Sequence, residues 1–402
     1  MASSPPTDHT ARVRAARWPA LAAFALLVMT TQVLWLSFAS VTARTAEHLD
    51  VSEGAVGDLA VVNAAAFVLL AIPAGRWMDR SYERALAAGA LFTAAGAIVR
   101  ALDPSSYALI LTGQVIMSIG QPLVLSALTK VAARHFPREE QTAAISIAAG
   151  AQYAGILVAV LTSSWLVDTG GFGLLLVSHA ALAVAAAVLV LLTLRLPSHP
   201  TDALVRAPAG WLRADPLVWK MAALLFLGFG AYNGIATWLD SILVDFGHPG
   251  LAGPVIAVMT LAGIGGAAVL PSLSAARDAR RTVAMLATGT LAVVMVTLAA
   301  TQPTWLVYAG FALVGFMLMG TLPVMLDWSE AHVGPARAGS VTSVLLLAGN
   351  LGAVLVVLTV QLAIGDPVAA LAVMALWAVP GLAVAATLPR HGGRERAATQ
   401  AT

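Results

Sequence analysis

Polar and aromatic side chains that could bind a solute occur inside the long apolar segments of this sequence. Such side chains are costly in lipid unless they face the interior of a helix bundle. Gln32 and Trp35 are three residues apart, so they share one face of a helix. The other candidates are Asn63, Gln114, Gln121, Gln152, Tyr153, Tyr232, Asn233, Trp238 and Asn350. As a set they favour binding of a small solute, whereas hydrogen bonding or packing between helices is the alternative role for each one.

Acidic side chains near the ends of the apolar segments are candidates for gating or ion coupling. Asp58 lies about one helical turn inside one segment and Asp240 closes another, both at the predicted outer side. Acids deep inside membrane helices mark proton pathways, and no acid lies in the middle of the first or fourth segment. Asp58 and Asp240 therefore suit an outer gate that attracts cations, or else they cap and pair at the membrane edge.

The composition predicts the elements that position these side chains. Only 10% of the 402 residues are charged, 59% are hydrophobic and the mean hydropathy is +0.86, whereas an ordinary soluble domain is about 25% charged. Apolar runs of about 20 residues cross a bilayer as helices, which satisfy their own backbone hydrogen bonds. The predicted spans are residues 18–43, 54–75, 83–101, 106–132, 140–167, 173–195, 217–240, 251–273, 282–301, 304–327, 338–363 and 367–388. These twelve helices make an all-α membrane protein.

The basic residues predict how the chain is oriented. If the first span starts in the cytoplasm, 20 of the 22 Lys and Arg residues lie on that side, and only Arg44 and Arg100 lie outside. The positive-inside rule then places both termini in the cytoplasm of a multi-pass protein of the cell membrane. The net charge of +2 is small, so no nucleic-acid partner is expected. The absence of Cys excludes disulfides and Cys-ligated metals, and no metal or cofactor is expected.

The sequence repeats itself across its midpoint. Pro73 and Pro271, Pro137 and Pro335, and Gln152 and Asn350 are each 198 residues apart. A Pro-containing connection divides the spans six and six, so we predict an N-terminal bundle over residues 1–195, a cytoplasmic linker over 196–216 and a C-terminal bundle over 217–402. Residues on the first, fifth, seventh and eleventh spans then surround one central cavity.

The connection between the second and third spans carries a motif. Its residues are Gly75, Asp79, Arg80 and Arg84, and it resembles the loop signature of the major facilitator superfamily. This resemblance implies two pseudo-symmetric six-helix bundles that rock about a substrate site near the midplane. Gly75 would allow close helix approach, and Asp79 would cap a partner helix and pair with an Arg, forming a cytoplasmic latch.

The second half of the sequence departs from this signature. Leu273 stands at the Gly position and Arg277 at the acid position, so the latch is expected in the first half only. The Gly-Pro signature of antiporters is also absent from the fifth span.

Parts of the sequence also resemble the feline leukaemia virus subgroup C receptor-related transporters. The resemblance rests on Trp35, the Gln121-Pro122 pair and the run from Gly150 to Gly155. In that family a Trp of the first helix and a Tyr of the seventh enclose a quaternary ammonium group, with help from two Gln residues. Trp35 and Gln152 match this pattern, Tyr232 matches with a one-residue shift that puts Asn233 in register, and Asn350 replaces the second Gln. Members of the family are linked to choline, ethanolamine and heme.

These observations predict a permease for a small organic solute. We expect a monomer in a lipid bilayer that moves a choline-like amine by facilitated diffusion or ion symport. The alternative is a proton-coupled exporter of a drug or natural product. A membrane enzyme is disfavoured, because the sequence shows no phosphate-binding loop, metal cluster or catalytic-triad spacing.

Overall fold

The computed structural model describes residues 8–196, 214–333 and 335–389. The described residues form thirteen α-helices: α1 Asp8–Trp35, α2 Thr42–Leu49, α3 Glu53–Arg80, α4 Tyr82–Ala101, α5 Tyr107–Ser126, α6 Leu128–His135, α7 Arg138–Thr193, α8 Pro216–Asp245, α9 Ala252–Ala276, α10 Arg280–Ala300, α11 Thr304–Val333, α12 Pro335–Gln361 and α13 Pro367–Ala386. The predicted all-α class is confirmed. The predicted linker 196–216 lies mostly outside the described residues.

The long helix α7 contains two of the predicted spans. Its backbone leaves helical geometry at Gly170 and Gly171, and Gly171 has a φ of 68°, which side chains other than Gly rarely adopt. Among the described residues, eleven helical stretches are long and apolar enough to cross a membrane, and one of them runs over the 47 residues Ile147–Thr193. Because this stretch is two spans joined at the kink, the structure provides the twelve predicted spans.

The first membrane helix ends earlier than predicted. Helix α1 ends at Trp35, and turns lead to the separate short helix α2, whereas one span was predicted over 18–43. The Ser37 hydroxyl donates to the carbonyl of Leu34 at 2.9 Å. Arg100 Nη1 donates to the same carbonyl at 2.9 Å, so side chains bind the carbonyl at the end of α1.

Acidic caps define where two helices begin. Asp215 accepts hydrogen bonds from the N–H groups of Leu217 and Val218 at the start of α8, and Asp366 does the same at the start of α13. In both cases Pro is the first helical residue, where its missing N–H costs nothing.

The chain divides into two compact units, which are described separately. The first unit contains Met1–Ser37 and Ala66–Leu204, and the second contains Phe38–Ala65 and Val205–Thr402. This division differs from the predicted bundles in one respect, because residues 38–65 group with the second half of the sequence. Buried aliphatic and small residues of α1, α4, α5, α6 and α7 form the core of the first unit, and residues of α8 to α13 form that of the second.

Glycines permit the closest helix crossings in both units. A Cβ added to Gly155 of α7 would overlap the carbonyl of Met29 on α1, and a Cβ added to Gly352 of α12 would overlap the carbonyl of Phe226 on α8. Met29 and Phe226 are 197 residues apart, as are Gly155 and Gly352. The same crossing is thus built twice, which supports the predicted pseudo-symmetry at the level of atoms.

The outer surfaces of the helices are apolar. Large side chains such as Leu69, Val293 and Leu376 are at least 66% exposed. Exposed apolar area on this scale is unfavourable in water but matches the hydrocarbon of a bilayer.

Candidate functional site

In the first unit, the predicted binding residues lie around the crossing of α1 and α7. Gln32 is buried, its amide donates to the Thr31 hydroxyl at 3.2 Å, and its Cβ would lie 2.8 Å from a Cβ placed on Gly155. Gln152 and Tyr153, three and two residues before Gly155, are half-buried. The absence of a side chain at Gly155 lets α7 approach α1 closely, and Gln152 lies on the same side of α7 as Gly155.

Trp35 forms the last residue of α1 and is also half-buried. Its indole Nε1 is enclosed, and it has no hydrogen-bond partner among the residues that the structure describes. Buried Trp N–H groups usually find a partner, so this donor suits a solute or a water molecule. Gln121 of α5 is buried and, among the same residues, forms no side-chain hydrogen bond.

Arg100, which was predicted to lie on the outer side, is buried and binds the end of α1. Arg100 is 1% exposed, and its Nη1 donates to the Leu34 carbonyl at 2.9 Å. The Leu34 carbonyl belongs to the C-terminus of a helix, where partial negative charge accumulates and a cation is favourable. His179 Nδ1 lies 3.1 Å from the Ser37 hydroxyl in the same cluster. Arg100 therefore acts inside the bundle, next to Trp35, and is not an external surface charge.

The position of Arg100 carried a usable signal. It falls inside the predicted span 83–101, and a charge within an apolar span generally faces the interior of the bundle. The position of Arg100 in the sequence therefore indicates a buried charge.

In the second unit, the predicted residues lie around the equivalent crossing of α8 and α12. Tyr232 is half-buried, and Asn233 donates to the Phe229 carbonyl one turn earlier at 2.8 Å. Asn350 likewise donates to the Leu346 carbonyl at 2.9 Å. Each amide thus uses one N–H within its own helix, and its oxygen and second N–H can make further contacts.

The structure also relates the two aromatic candidates. Trp35 and Tyr232 are 197 residues apart, which is the offset of the two glycine crossings. They therefore occupy equivalent positions on α1 and α8 of their respective units. Asn350 lies one residue beyond the equivalent of Gln152 at this offset, so these two amides are not strictly equivalent.

Trp238 is not available to a solute in this structure. It is fully buried, its Nε1 donates to the Val357 carbonyl at 3.0 Å, and its ring packs on Gly57 of α3. Asp240 is buried nearby, where its Oδ2 accepts the N–H of Ala43 at 3.2 Å. Asp58, next to Gly57, is partly exposed. The geometry makes Trp238 a packing residue beside the predicted gate.

The motif connection lies at the other end of α3. The close approach predicted at Gly75 is not present, because a Cβ there would meet nothing within 4 Å. Arg80 and Arg84 are exposed, and the side chain of Asp79 lies outside the described part of the structure. Lys130 of α6 donates to the Met78 carbonyl at 3.1 Å, so α6 holds the end of α3.

Ion pairs at the same ends of the helices occur in both units. Arg134 of α6 pairs with Glu83 of α4 and lies over the Tyr82 ring. In the second unit, Arg280 of α10 pairs with Asp327 of α11 at 2.6 Å. Asp79 takes part in neither of these two pairs, so the latch expected at Asp79 stays a prediction.

Asp215 makes a further contact at this end of the second unit. His332 Nε2 lies 2.8 Å from its carboxylate. Burial raises the pKa of Asp215, but the hydrogen bonds from His332, Val218 and Leu217 outweigh burial and hold this pKa below its ordinary value.

Two units built on one plan, each of apolar helices around buried amides and aromatic rings, define a multi-pass transporter of the major facilitator type. The sequence profile of the Major Facilitator Superfamily matches residues 20–357, and the chain belongs to this family.

Curated relatives agree with this assignment. The chain is 29% identical to Solute carrier family 49 member A3 of Danio rerio over 276 residues, which is 63% of this chain and 58% of that protein. The chain thus spans little more than half of that relative. It is 23% identical to the Choline/ethanolamine transporter FLVCR2 of Homo sapiens over 370 residues, or 84% of this chain and 70% of that protein.

Solved structures show the same fold. A bacterial homologue of the human lysosomal transporter Spinster, in an inward-facing and unoccupied conformation, superposes with a TM-score of 0.73 at 16% identity, covering 92% of this chain and 95% of that one. A variant of the nucleoside transporter NupG gives a TM-score of 0.71 at 16% identity, covering 91% and 98%.

Proposed function

We propose that the protein is an alternating-access permease for a small organic cation of the choline type, working by facilitated diffusion or ion symport. The observation that carries the proposal is the equivalence of Trp35 and Tyr232, each half-buried near the glycine crossing of its unit. A quaternary ammonium group cannot donate hydrogen bonds, so aromatic faces are its favourable partners, at roughly 0.5–2 kcal/mol each. The similarity to a human choline/ethanolamine transporter over 84% of the chain supports the same solute class.

The polar candidates complete the proposed site. Gln32, Gln121 and Gln152 of the first unit, with Tyr153, would bind the hydroxyl or amine end of the solute. Asn233 and Asn350 of the second unit offer free amide oxygens for the same purpose. Asp58 and Asp240 are proposed as gate residues, and Gly75, Asp79, Arg80 and Arg84 as the cytoplasmic control loop.

Binding of choline to purified protein in lipid nanodiscs tests the proposal. Trp35→Ala should weaken choline binding about tenfold or more, because one aromatic face is lost. The matched control is Trp165→Ala, which removes a Trp that is 61% exposed on α7.

A neutral ligand separates the cation effect from simple packing. In 3,3-dimethyl-1-butanol, carbon replaces the quaternary nitrogen of choline at nearly the same shape. Trp35→Ala should affect its binding much less than that of choline. Equal weakening of both ligands, or unchanged choline affinity, would contradict the aromatic site. Export of a hydrophobic drug that collapses on addition of an uncoupler would favour the alternative function.

We further propose a monomer in the cell membrane with both termini in the cytoplasm, and bundles over residues 1–195 and 217–402. The distribution of 20 of 22 basic residues on one predicted side supports the proposed orientation of the termini.

A further inference from the structure

The last third of α8 contacts two helices from the first part of the chain, α2 and α3. Asp240 Oδ2 accepts the N–H of Ala43 in the first turn of α2 at 3.2 Å. The Thr42 hydroxyl approaches the Thr237 carbonyl on α8 at 3.4 Å. Asp240 is 3% exposed, so this contact between α8 and α2 is shielded from water. We call these four residues the α8–α2 clasp.

The start of α3 is held beside the clasp by packing alone. Gly57 lies against the ring of Trp238, where a Cβ would be within 3.0 Å of Cζ3. A Cβ on Gly54 would be 2.7 Å from the Gln361 amide of α12. These contacts use no charge, so they do not respond to protons, whereas the clasp depends on a carboxylate.

Two opposing effects act on the Asp240 carboxylate: burial away from water penalises its charge, and the N-terminus of α2 stabilises that charge. The N-terminal turn of α2 carries partial positive charge, and a carboxylate accepting a backbone N–H there forms a charge-assisted hydrogen bond. Arg44 of α2 and Glu53 of α3 also act on Asp240 electrostatically, with opposite sign. Glu47 and His48 lie exposed further along α2, and residues 341–361 of α12 carry no titratable side chain.

We propose that Asp240 is a proton-binding site that controls the clasp: uptake of one proton weakens its hold on α2 and exposes the segment that precedes it. Protonation removes the negative charge and leaves a neutral acceptor, so the hydrogen bond to the N-terminus of α2 loses its charge assistance. The inference deepens the proposed role of Asp240 as a gate residue, but it does not depend on the identity of the solute.

Cysteine labelling measures this release directly, because the chain contains no Cys of its own. Ser40, just before α2, is 3% exposed, and its hydroxyl has no hydrogen-bond partner among the residues that the structure describes. Ser40→Cys is therefore a mild reporter. Its reaction with a water-soluble maleimide is measured in lipid nanodiscs at pH 4.5 and pH 8. Division by the rate of the exposed reporter Thr301→Cys removes the pH dependence of the thiol itself.

We expect the corrected labelling rate of Ser40→Cys to rise about tenfold between pH 8 and pH 4.5, as for loss of one charge-assisted hydrogen bond. In Ser40→Cys with Asp240→Asn, the rate should be high at both pH values. With Asp240→Glu, which keeps an acid, the rate should remain pH-dependent. The matched control Asp245→Asn, an exposed acid of the same helix, should behave like the reporter alone.

Two results would overturn the inference. One is a rate that does not change with pH in the Ser40→Cys protein, and the other is an unchanged pH dependence after Asp240→Asn. Because no solute is present, the proton site and the choline proposal fail or succeed separately.

Discussion

Two adjacent glycines of α9 offer a sharp test of how the second unit is packed. Gly266 faces α11, where an added Cβ would lie 2.8 Å from the carbonyl carbon of Phe316 and closer still to its oxygen. A Cβ on Gly265 would meet nothing within 4 Å. The two positions share one helix and one residue type, so the substitutions Gly266→Ala and Gly265→Ala differ only in their surroundings.

The magnitudes follow from these distances. Ordinary contact begins near 3.4 Å, so Gly266→Ala requires α9 and α11 to separate by roughly 1 Å along close-packed backbone. Overpacking of this kind costs roughly 1–3 kcal/mol. Gly265→Ala should instead gain about 0.4–1 kcal/mol, because the unfolded chain becomes less flexible. The two variants should therefore differ by about 1.4–4 kcal/mol in the free energy of unfolding.

Unfolding in mixed micelles, followed by Trp fluorescence, gives this difference, since the chain has 10 Trp residues. Comparable stabilities for the two variants would refute the crossing of α9 and α11 at Gly266. An equal loss of stability in both variants would mean that neither position tolerates a side chain. That result would contradict the open space around Gly265.

Other predictions concern charge and orientation. Asp215→Ala should destabilise the protein by roughly 0.5–2 kcal/mol at pH 7, through loss of the α8 cap. Since bonding holds the folded-state pKa of Asp215 below 3.8, its contribution is present above that pH and disappears as the pH falls through the folded-state value. Denaturation curves of the variant and the unaltered protein should therefore converge in acid, and a gap that persists there would disprove the assignment. For orientation, Thr169→Cys should react with an impermeant maleimide from outside cells and Ala207→Cys only after lysis. Reaction of both from one side would refute the topology.

The sequence alone was sufficient for the features that depend on local patterns. Apolar runs of membrane length predicted the spans, and the offset between Gln152 and Asn350 came within one residue of the structural offset at that crossing. The helix breaks at Gly170 and Gly171 fell between two predicted spans. The spans and the break lie within single helices or their immediate connections, and the offset is a comparison of the sequence with itself, so no tertiary information is needed to find them.

Features that depend on distant partners were missed. The end of α1 at Trp35 involves Arg100 of α4, which reaches the Leu34 carbonyl across 66 residues. The burial of Trp238 depends on Gly57 and on Val357 of α12. In the sequence, Trp238 is an aromatic residue in an apolar span, which equally suits a binding role or a packing role. The close approach of Gly57 to the Trp238 ring, which the sequence does not show, identifies the packing role.

The two ion pairs Glu83–Arg134 and Arg280–Asp327 have consequences for folding fidelity. Glu83 and Arg280 are 197 residues apart and occupy the first turns of α4 and α10, yet they carry opposite charges. If α4 docked onto α11 during synthesis, Glu83 would meet Asp327, and α10 docked onto α6 would bring two arginines together. Like charges penalise both misassembled forms. A chain made of two similar halves can thereby distinguish its own partners while it inserts.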